Sequence, residues 1–245
     1  MTPVDTVLPT LLLPAMQCTP LLFAAQLPLL WKYGAVMVAD TTRADDIRTL
    51  AAQVLAQAPP VFRLLGLSMG GYLAFEMYRQ APQRVQGLVL CNTSARADTP
   101  DKARQRQRLL RLAELRGFVP HFDPALVAPA LADDATLHAR CNAMAREVGR
   151  AAFIRQQKVV QSRPDSRPGL AAIACRTLVI GGAHDPLTPP VLLQEIAEGI
   201  PHAELVILPD AGHLPTLETP DSFNEVLARW LDAAAVPPMA AEHAS

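Results

Sequence analysis

Several features that would assign this chain to a nucleic-acid-binding or membrane class are scarce in its sequence. Its 22 Lys and Arg residues nearly balance 23 Asp and Glu residues, so no overall electric field attracts nucleic acid or an anionic membrane. No apolar stretch reaches the roughly 18 residues of a membrane span without a proline or a charge. The sequence therefore predicts neither a nucleic-acid partner nor a membrane span.

Clustered cysteines and an N-terminal basic region are also lacking. The four cysteines are widely spaced and include no C-x-x-C pair, which argues against the common metal-binding patterns. The apolar N-terminal segment has no Lys or Arg before Lys32, so it lacks the basic region of a secretion signal, and in "LPAMQC" Gln17 stands where a lipoprotein site needs a small residue before Cys18. We therefore expect free thiols, no metal and a cytoplasmic location.

What the chain does contain is an alternation of short apolar runs with helical patterns. Such runs are typical of parallel strands that helices cover on both faces. The runs begin at Thr10, Ala35, Phe62, Val85, Arg176 and Ala203, and the main helical patterns cover 45–57, 70–80, 190–198 and 221–234. This alternation predicts an α/β fold, a doubly wound domain with a mostly parallel sheet.

The alternation stops between residue 96 and about residue 170, where no strand-like run occurs. The helical stretches of this segment are 101–116, 124–131, 135–147 and 150–161. A helical insertion between parallel strands most naturally covers the carboxyl ends of the strands, where such sheets bind ligands. We predict a core of residues 1–95 and 171–235, a helical cap of residues 96–170, and a disordered tail of residues 236–245.

The stretch "LLGLSMGGYLAFE" sets Ser68 in a G-x-S-x-G pattern, between an apolar run and a helical pattern. A serine at a sharp strand-to-helix turn is held in strained backbone angles, and glycines beside it let the turn pass close to neighbouring elements. The N-terminus of the following helix favours negative charge at the site. This context favours Ser68 as a nucleophile over a serine that merely fits a turn.

A serine nucleophile needs a base, and the base needs an orienting carboxylate, in the chain order Ser, Asp, His. Asp185 follows the apolar run that begins at Arg176, and His213 follows the next run. Asp210 and His184 are the rival carboxylate and base. Three suitable residues at three strand ends predict a Ser68, Asp185, His213 catalytic triad.

The stretches "GLSMGGYLAFE", "GGAHDPLTPP" and "AGHLPTLETP" resemble those of the small capped bacterial carboxylesterases in the α/β-hydrolase fold superfamily, which include pimeloyl-carrier-protein methyl ester esterases and enol-lactonases. The resemblance covers nearly all of the chain. It implies an α/β-hydrolase fold and assigns the triad to the same three residues. By position, it also implies an oxyanion hole formed by the backbone N–H groups of Met69 and Met16.

Two departures from these families bear on the site. The strand that leads to the oxyanion loop begins within ten residues of Met1, so we expect the N-terminal edge strands of the sheet to be shortened. The oxyanion loop reads Pro14-Ala15-Met16 where relatives have a glycine at the second position. Because alanine adopts positive φ less readily than glycine, we expect any strain in this loop to fall on Ala15.

The reaction we expect is two-step acyl transfer on a small to medium hydrophobic carboxylic ester, without a cofactor. Lactone opening, thioester cleavage and C–C bond hydrolysis remain alternatives on the same triad. A catalytically inactive hydrolase-fold binding protein is the alternative from another class. The residues that we expect to line the substrate pocket are Ala15, Phe23, Leu110, Met144, Phe153 and Leu214.

The first stretch of the cap, "DKARQRQRLLRLAELRG", is strongly basic. A solvated outer helix face is the simpler interpretation, since runs of charge usually face water. The alternative is a docking surface for an acidic acyl carrier, such as an acyl carrier protein or a coenzyme A thioester. Its basic residues are Lys102, Arg104, Arg106, Arg108, Arg111 and Arg116.

Overall fold

Six parallel strands form one sheet in the computed structural model, which describes residues 7–115 and 117–235. The strands lie in the order β2-β1-β3-β4-β5-β6. Their bounds are β1 Thr10–Leu13, β2 Val36–Val38, β3 Phe62–Leu67, β4 Val85–Cys91, β5 Arg176–Gly182 and β6 Glu204–Leu208. The predicted doubly wound α/β fold is confirmed, and every pairing in the sheet is parallel.

The strands are apolar throughout because both faces of the sheet are covered. In β1, Leu11 and Leu13 belong to one buried apolar layer, and Leu12 belongs to the layer on the opposite face. All three side chains are fully buried. Successive side chains of a strand point to opposite faces, so a strand between two helical layers has no polar alternation.

Eight helices accompany the sheet within the described residues. Their bounds are α1 Leu27–Leu30, α2 Ile47–Gln57, α3 Met69–Gln80, α4 Pro100–Glu114, α5 Ala135–Gln161, α6 Pro190–Gly199, α7 Pro215–Glu218 and α8 Pro220–Ala235. Helix α2 begins two residues after the predicted start because the Asp46 side chain accepts a hydrogen bond from the Thr49 N–H and so caps the helix.

The segment between β4 and β5 contains α4 and α5. Helix α5 joins two predicted helices, and the break between them is Gly149, whose φ of 76° is not helical. The helix predicted over 124–131 is wrong. Two separate 3₁₀ turns occupy this stretch, Pro124–Leu126 and Pro129–Leu131, because a proline inside a helix lacks the N–H that the helix needs.

The edge strand on the N-terminal side of the sheet is β2. The first strand of the described residues, β1, lies between β2 and β3. This arrangement agrees with the expected shortened N-terminal edge. The predicted tail, 236–245, lies outside the described residues. None of the described helices combines the length and the apolar character needed to cross a membrane.

Candidate active site

Ser68 occupies the sharp turn between β3 and α3. Its φ is 55° and its ψ is −112°, a conformation that non-glycine residues rarely adopt. The Ser68 N–H donates to the Cys91 carbonyl oxygen at 2.9 Å, and the Thr93 hydroxyl donates to the Ser68 carbonyl oxygen at 2.9 Å. The end of β4 thus holds the strained turn from both sides.

The glycine that follows the serine turn permits a close approach of backbones. A Cβ on Gly70 would lie 1.9 Å from the Leu13 carbonyl oxygen at the end of β1. No side chain larger than hydrogen fits there, and this steric limit explains why the motif requires glycine at position 70.

The three residues of the predicted triad meet at the carboxyl ends of the strands. The His213 Nε2 atom lies 3.0 Å from the Ser68 Oγ atom, and the His213 Nδ1 atom lies 2.8 Å from the Asp185 Oδ2 atom. Asp185 and His213 are 3% and 4% exposed. The rivals, His184 and Asp210, lie exposed on the surface. The structure therefore places a continuous hydrogen-bonded row of serine, imidazole and carboxylate at this edge.

The Asp185 carboxylate is held by four groups. Its Oδ1 atom accepts from the Leu187 and Thr188 N–H groups, and its Oδ2 atom accepts from the Thr188 hydroxyl and the His213 ring. Burial favours a raised pKa for this carboxyl group, but the charge on the His213 ring and these hydrogen bonds outweigh burial and lower the pKa. The carboxylate therefore stays ionised and accepts a hydrogen bond from the His213 Nδ1–H group.

Glu218 is a site residue that the sequence analysis did not single out. Its Oε2 atom accepts from the Gly212 N–H at 2.7 Å and from the Ala128 N–H at 2.8 Å, and its Oε1 atom accepts from the Leu214 N–H at 2.7 Å. Both neighbours of His213 are thus held by one carboxylate. Its presence in the quoted stretch "AGHLPTLETP" was the only sequence feature that pointed to it.

Asn92 is a second site residue that the sequence analysis missed. It is fully buried and follows β4. Its side-chain amide donates to the Gly212 carbonyl oxygen at 2.7 Å, and its side-chain oxygen accepts from the Gly182 N–H at 3.0 Å. Asn92 therefore links the loop of His213 to the end of β5, from which the Asp185 loop starts.

The residues of both predicted oxyanion donors line the cavity that contains Ser68. Met69 is the first residue of α3, and Met16 follows β1. Neither backbone N–H has a hydrogen-bond partner among the described residues. The strain expected at Ala15 is instead at Gln17, whose φ is 62°.

A cavity of about 480 Å³ has Ser68 in its wall and is also lined by residues of α4 and α5. Of the six residues predicted to line it, Ala15, Phe153 and Leu214 do so. The other three predictions are wrong. Phe23 and Met144 are fully buried in the apolar layer beneath, and Leu110 lies one helix position beyond Leu109, which faces the cavity in its place.

The remaining cavity wall combines apolar side chains with a charged end. Cavity residues that the sequence analysis did not name as pocket residues include Cys18, Tyr72, Asp98, Phe122, Leu126, Cys141, Ala145, Gln157, Val160, Arg163 and Leu187. Arg106 also lines the cavity, so the interpretation of the whole basic run as an outer face is wrong at this position. Its guanidinium donates to Asp98 and to Gln157, because α4 turns this side chain inward.

Lys102 also lines the cavity but is exposed, whereas Arg106 is partly buried. Arg104 pairs with Asp101, and Arg108 and Arg111 are exposed. Within residues 7–115 and 117–235, no group of three His, Cys, Asp or Glu side chains is arranged to hold a metal ion.

Comparison with known proteins adds independent information on the fold and its relatives. Residues 39–220 match the family model described as the alpha/beta hydrolase fold. The chain is 30% identical over 205 residues to a Mycobacterium tuberculosis protein named as a non-heme bromoperoxidase, BpoC, covering 79% of this chain and 73% of that protein. It is 29% identical to 3-oxoadipate enol-lactonase 2 of Acinetobacter baylyi, covering 69% of this chain and 62% of that protein.

A solved structure matches nearly the whole chain. The thermophilic esterase from Thermogutta terrifontis superimposes with a TM-score of 0.82 at 26% identity, covering 94% of this chain and 91% of the esterase. The match extends across the cap segment as well as the sheet, since it covers almost every residue of both proteins.

Proposed function

This chain belongs to the α/β-hydrolase fold family, and we propose that it is a serine hydrolase that cleaves small to medium hydrophobic carboxylic esters. The observation that carries the proposal is the unbroken row of hydrogen bonds from the Asp185 carboxylate through His213 to the Ser68 hydroxyl. A serine becomes a competent nucleophile when a neutral imidazole accepts its proton and a buried carboxylate stabilises the resulting imidazolium.

In the first step, the Ser68 Oγ atom attacks the ester carbonyl carbon while its proton passes to the His213 Nε2 atom. The carbonyl oxygen becomes an oxyanion, which the Met69 and Met16 N–H groups stabilise. Collapse of the tetrahedral intermediate breaks the bond to the leaving alcohol, which takes the proton from His213. The product is an acyl ester on Ser68.

In the second step, water replaces the alcohol. His213 accepts a proton from the water as its oxygen attacks the acyl carbon, and the same N–H groups stabilise the second oxyanion. Collapse releases the carboxylic acid and returns the proton to Ser68. Asp185 remains ionised throughout, which keeps the Nδ1 proton of His213 directed toward it and leaves Nε2 free to accept.

The cavity supports an ester with an apolar acyl or alcohol part. The apolar side chains of its wall include Met16, Met69, Leu109, Phe153 and Leu214. Methionine side chains adapt to flexible apolar chains. The volume of about 480 Å³ lies within the range typical of small-molecule sites, which supports a substrate of modest size.

A lactone is the second candidate, because an enol-lactonase occurs among the relatives and a lactone is a cyclic ester that the same triad opens. The test is a panel of p-nitrophenyl esters of increasing acyl length, together with lactones and acyl thioesters, assayed with the wild type and with Ser68→Ala. We expect the highest kcat/KM on short to medium esters and loss of activity in Ser68→Ala.

Two results of this panel would overturn the proposal. Undiminished hydrolysis by Ser68→Ala would show that Ser68 is not the nucleophile. No turnover of any substrate class, together with no labelling of Ser68 by a fluorophosphonate, would favour a hydrolase-fold binding protein instead.

A further inference from the structure

The loop that carries Met16 is a tight turn with an unusual residue in its third position. The Cys18 N–H donates to the Ala15 carbonyl oxygen at 3.2 Å, which closes a four-residue turn. The third residue, Gln17, has a φ of 62°. A positive φ at the third position is the mark of a type II turn, which normally has glycine there. A glutamine in this conformation is strained, so another contact has to hold it.

That contact comes from the cap. The Gln17 N–H donates to the Gln156 side-chain oxygen at 3.0 Å, although the two residues are 139 positions apart in the chain. Gln156 lies on α5 and is fully buried. Its side-chain nitrogen donates to the Thr41 hydroxyl at 3.2 Å. Both ends of the amide are therefore used, and neither is available to solvent or substrate.

The next residue of α5 contacts the neighbouring residue of the turn. The Gln157 side-chain nitrogen lies 3.1 Å from the Met16 sulfur, and the Gln157 side-chain oxygen accepts from Arg106. Consecutive glutamines on the cap thus contact consecutive residues of the loop. The cap holds the backbone of the turn through Gln156 and the Met16 side chain through Gln157.

We propose that Gln156 is a positioning residue, which holds the Met16–Gln17 turn in the conformation that presents the Met16 N–H to the oxyanion. This inference rests on the proposed function, because it assigns Met16 as an oxyanion donor. The Gln156 hydrogen bond offsets the strain, because it pairs the Gln17 N–H only while the turn keeps this conformation. Without the bond, Gln17 relaxes from its positive φ and the backbone of the turn rearranges around it.

The Met16 N–H belongs to the peptide between Ala15 and Met16, so the rearrangement displaces the proposed donor by changing ψ of Ala15 and φ of Met16. Because the donor acts on the transition state and not on the bound ester, its displacement lowers kcat more than it changes KM. Loss of a whole donor lowers kcat by about 100- to 1,000-fold, so we expect a displaced donor to lower it by about 10- to 100-fold.

The test compares Gln156→Met in two backgrounds. In the wild-type background, kcat on a short p-nitrophenyl ester is expected to fall about 10- to 100-fold, with KM changed by less than about threefold. In the Gln17→Gly background, glycine adopts the positive φ without support, so the same substitution is expected to lower kcat by less than about threefold. A role in folding alone would give equal losses in both backgrounds.

The matched control is Ser162→Ala. The Ser162 hydroxyl accepts from the Ile47 N–H at 2.8 Å, so this substitution also removes a hydrogen bond between the cap and a core backbone N–H, but far from the turn. We expect a lower Tm and kcat within about twofold of the wild type. If Gln156→Met does not fold, Gln156→Asn replaces it in both backgrounds, because it keeps a buried amide but shortens its reach by one methylene.

The inference is overturned if a folded Gln156 variant keeps kcat within about twofold of the wild type, or if Gln17→Gly leaves the kcat loss unchanged. These outcomes differ from failure of the proposed function. Ester hydrolysis that does not require Ser68 would refute the proposed function, whereas Ser68-dependent hydrolysis that is indifferent to Gln156 would refute this inference alone.

Discussion

Replacement of Glu218 by glutamine tests how the histidine of the triad is held. The carboxylate accepts three backbone N–H groups, two on Oε2 and one on Oε1. A glutamine retains one acceptor oxygen. If its oxygen stays at the Oε2 position, the Leu214 N–H loses its acceptor and faces the NH₂ group of the glutamine. The bonds from the Gly212 and Ala128 N–H groups remain, but their acceptor is no longer charged.

The cost follows from these three contacts. A hydrogen bond to a charged group contributes about 1.5–3 kcal/mol and a neutral one about 0.5–1.5 kcal/mol, so one bond lost and two weakened amount to about 5 kcal/mol. For a domain of this size, that corresponds to a fall in Tm of about 10–20 °C. Since the released N–H groups flank His213, we also expect kcat to fall about tenfold while KM changes little.

The assay is thermal unfolding followed by circular dichroism, together with steady-state hydrolysis of a p-nitrophenyl ester. Glu225→Gln is the matched control, because it makes the same change of charge at an exposed position of α8 and is expected to leave both Tm and kcat unaltered. A Glu218→Gln variant with Tm within about 1 °C and kcat within about twofold of the wild type would refute the reasoning.

Two further predictions concern the charged residues of the cap. Burial favours a raised pKa for Asp98, but hydrogen bonds and charges from Arg106 and Arg163 outweigh it and lower the pKa below the ordinary 3.8. Ionised Asp98 therefore stabilises the fold above the ordinary pKa, and this stability is lost as the pH falls through the lowered pKa. We expect the difference in unfolding free energy between the wild type and Asp98→Asn to shrink as the pH falls below 3.8. A difference that stays constant down to low pH would contradict this prediction. An acidic acyl carrier, if it is a partner, docks on exposed side chains such as Arg104, Arg108 and Arg111, so replacing these with glutamine should raise KM for carrier-bound thioesters but not for small esters; equal changes in both would exclude the surface.

The fold and the proximity of Ser68, His213 and Asp185 were predictable because their determinants are local. Each strand is a short apolar run, and Ser68, Asp185 and His213 each follow such a run. In a parallel sheet, residues at the carboxyl ends of neighbouring strands meet at one edge. Sequence order and strand positions were therefore sufficient to bring three distant residues together.

The cavity wall was less predictable because it depends on the rotation of each helix about its axis. Adjacent helix positions differ by about 100°, so Leu109 faces the cavity while Leu110 does not. The same geometry turns Arg106 inward while Arg104 pairs with Asp101 nearby on α4. Nothing in the sequence of a single helix specifies which neighbour it packs against.

The oxyanion loop shows a different limit. In the sequence, Ala15 stands where the resembling families have a glycine. The positive φ of this loop nevertheless falls at Gln17 and not at Ala15. The contact that holds this residue comes from Gln156, far along the chain. Local propensity identifies a strained turn, whereas the position of the strain depends on a tertiary hydrogen bond that only the folded chain supplies.

The most direct test of the account is to trap the acyl-enzyme. The wild type is mixed with a p-nitrophenyl ester, quenched in acid within the first turnover, digested, and analysed by mass spectrometry. We predict that the peptide containing Ser68 gains the mass of one acyl group in proportion to the p-nitrophenol released, and that Ser68→Ala gains none. Release of p-nitrophenol by the wild type with no acyl group on Ser68, or an equal rate of release by Ser68→Ala, would contradict the account.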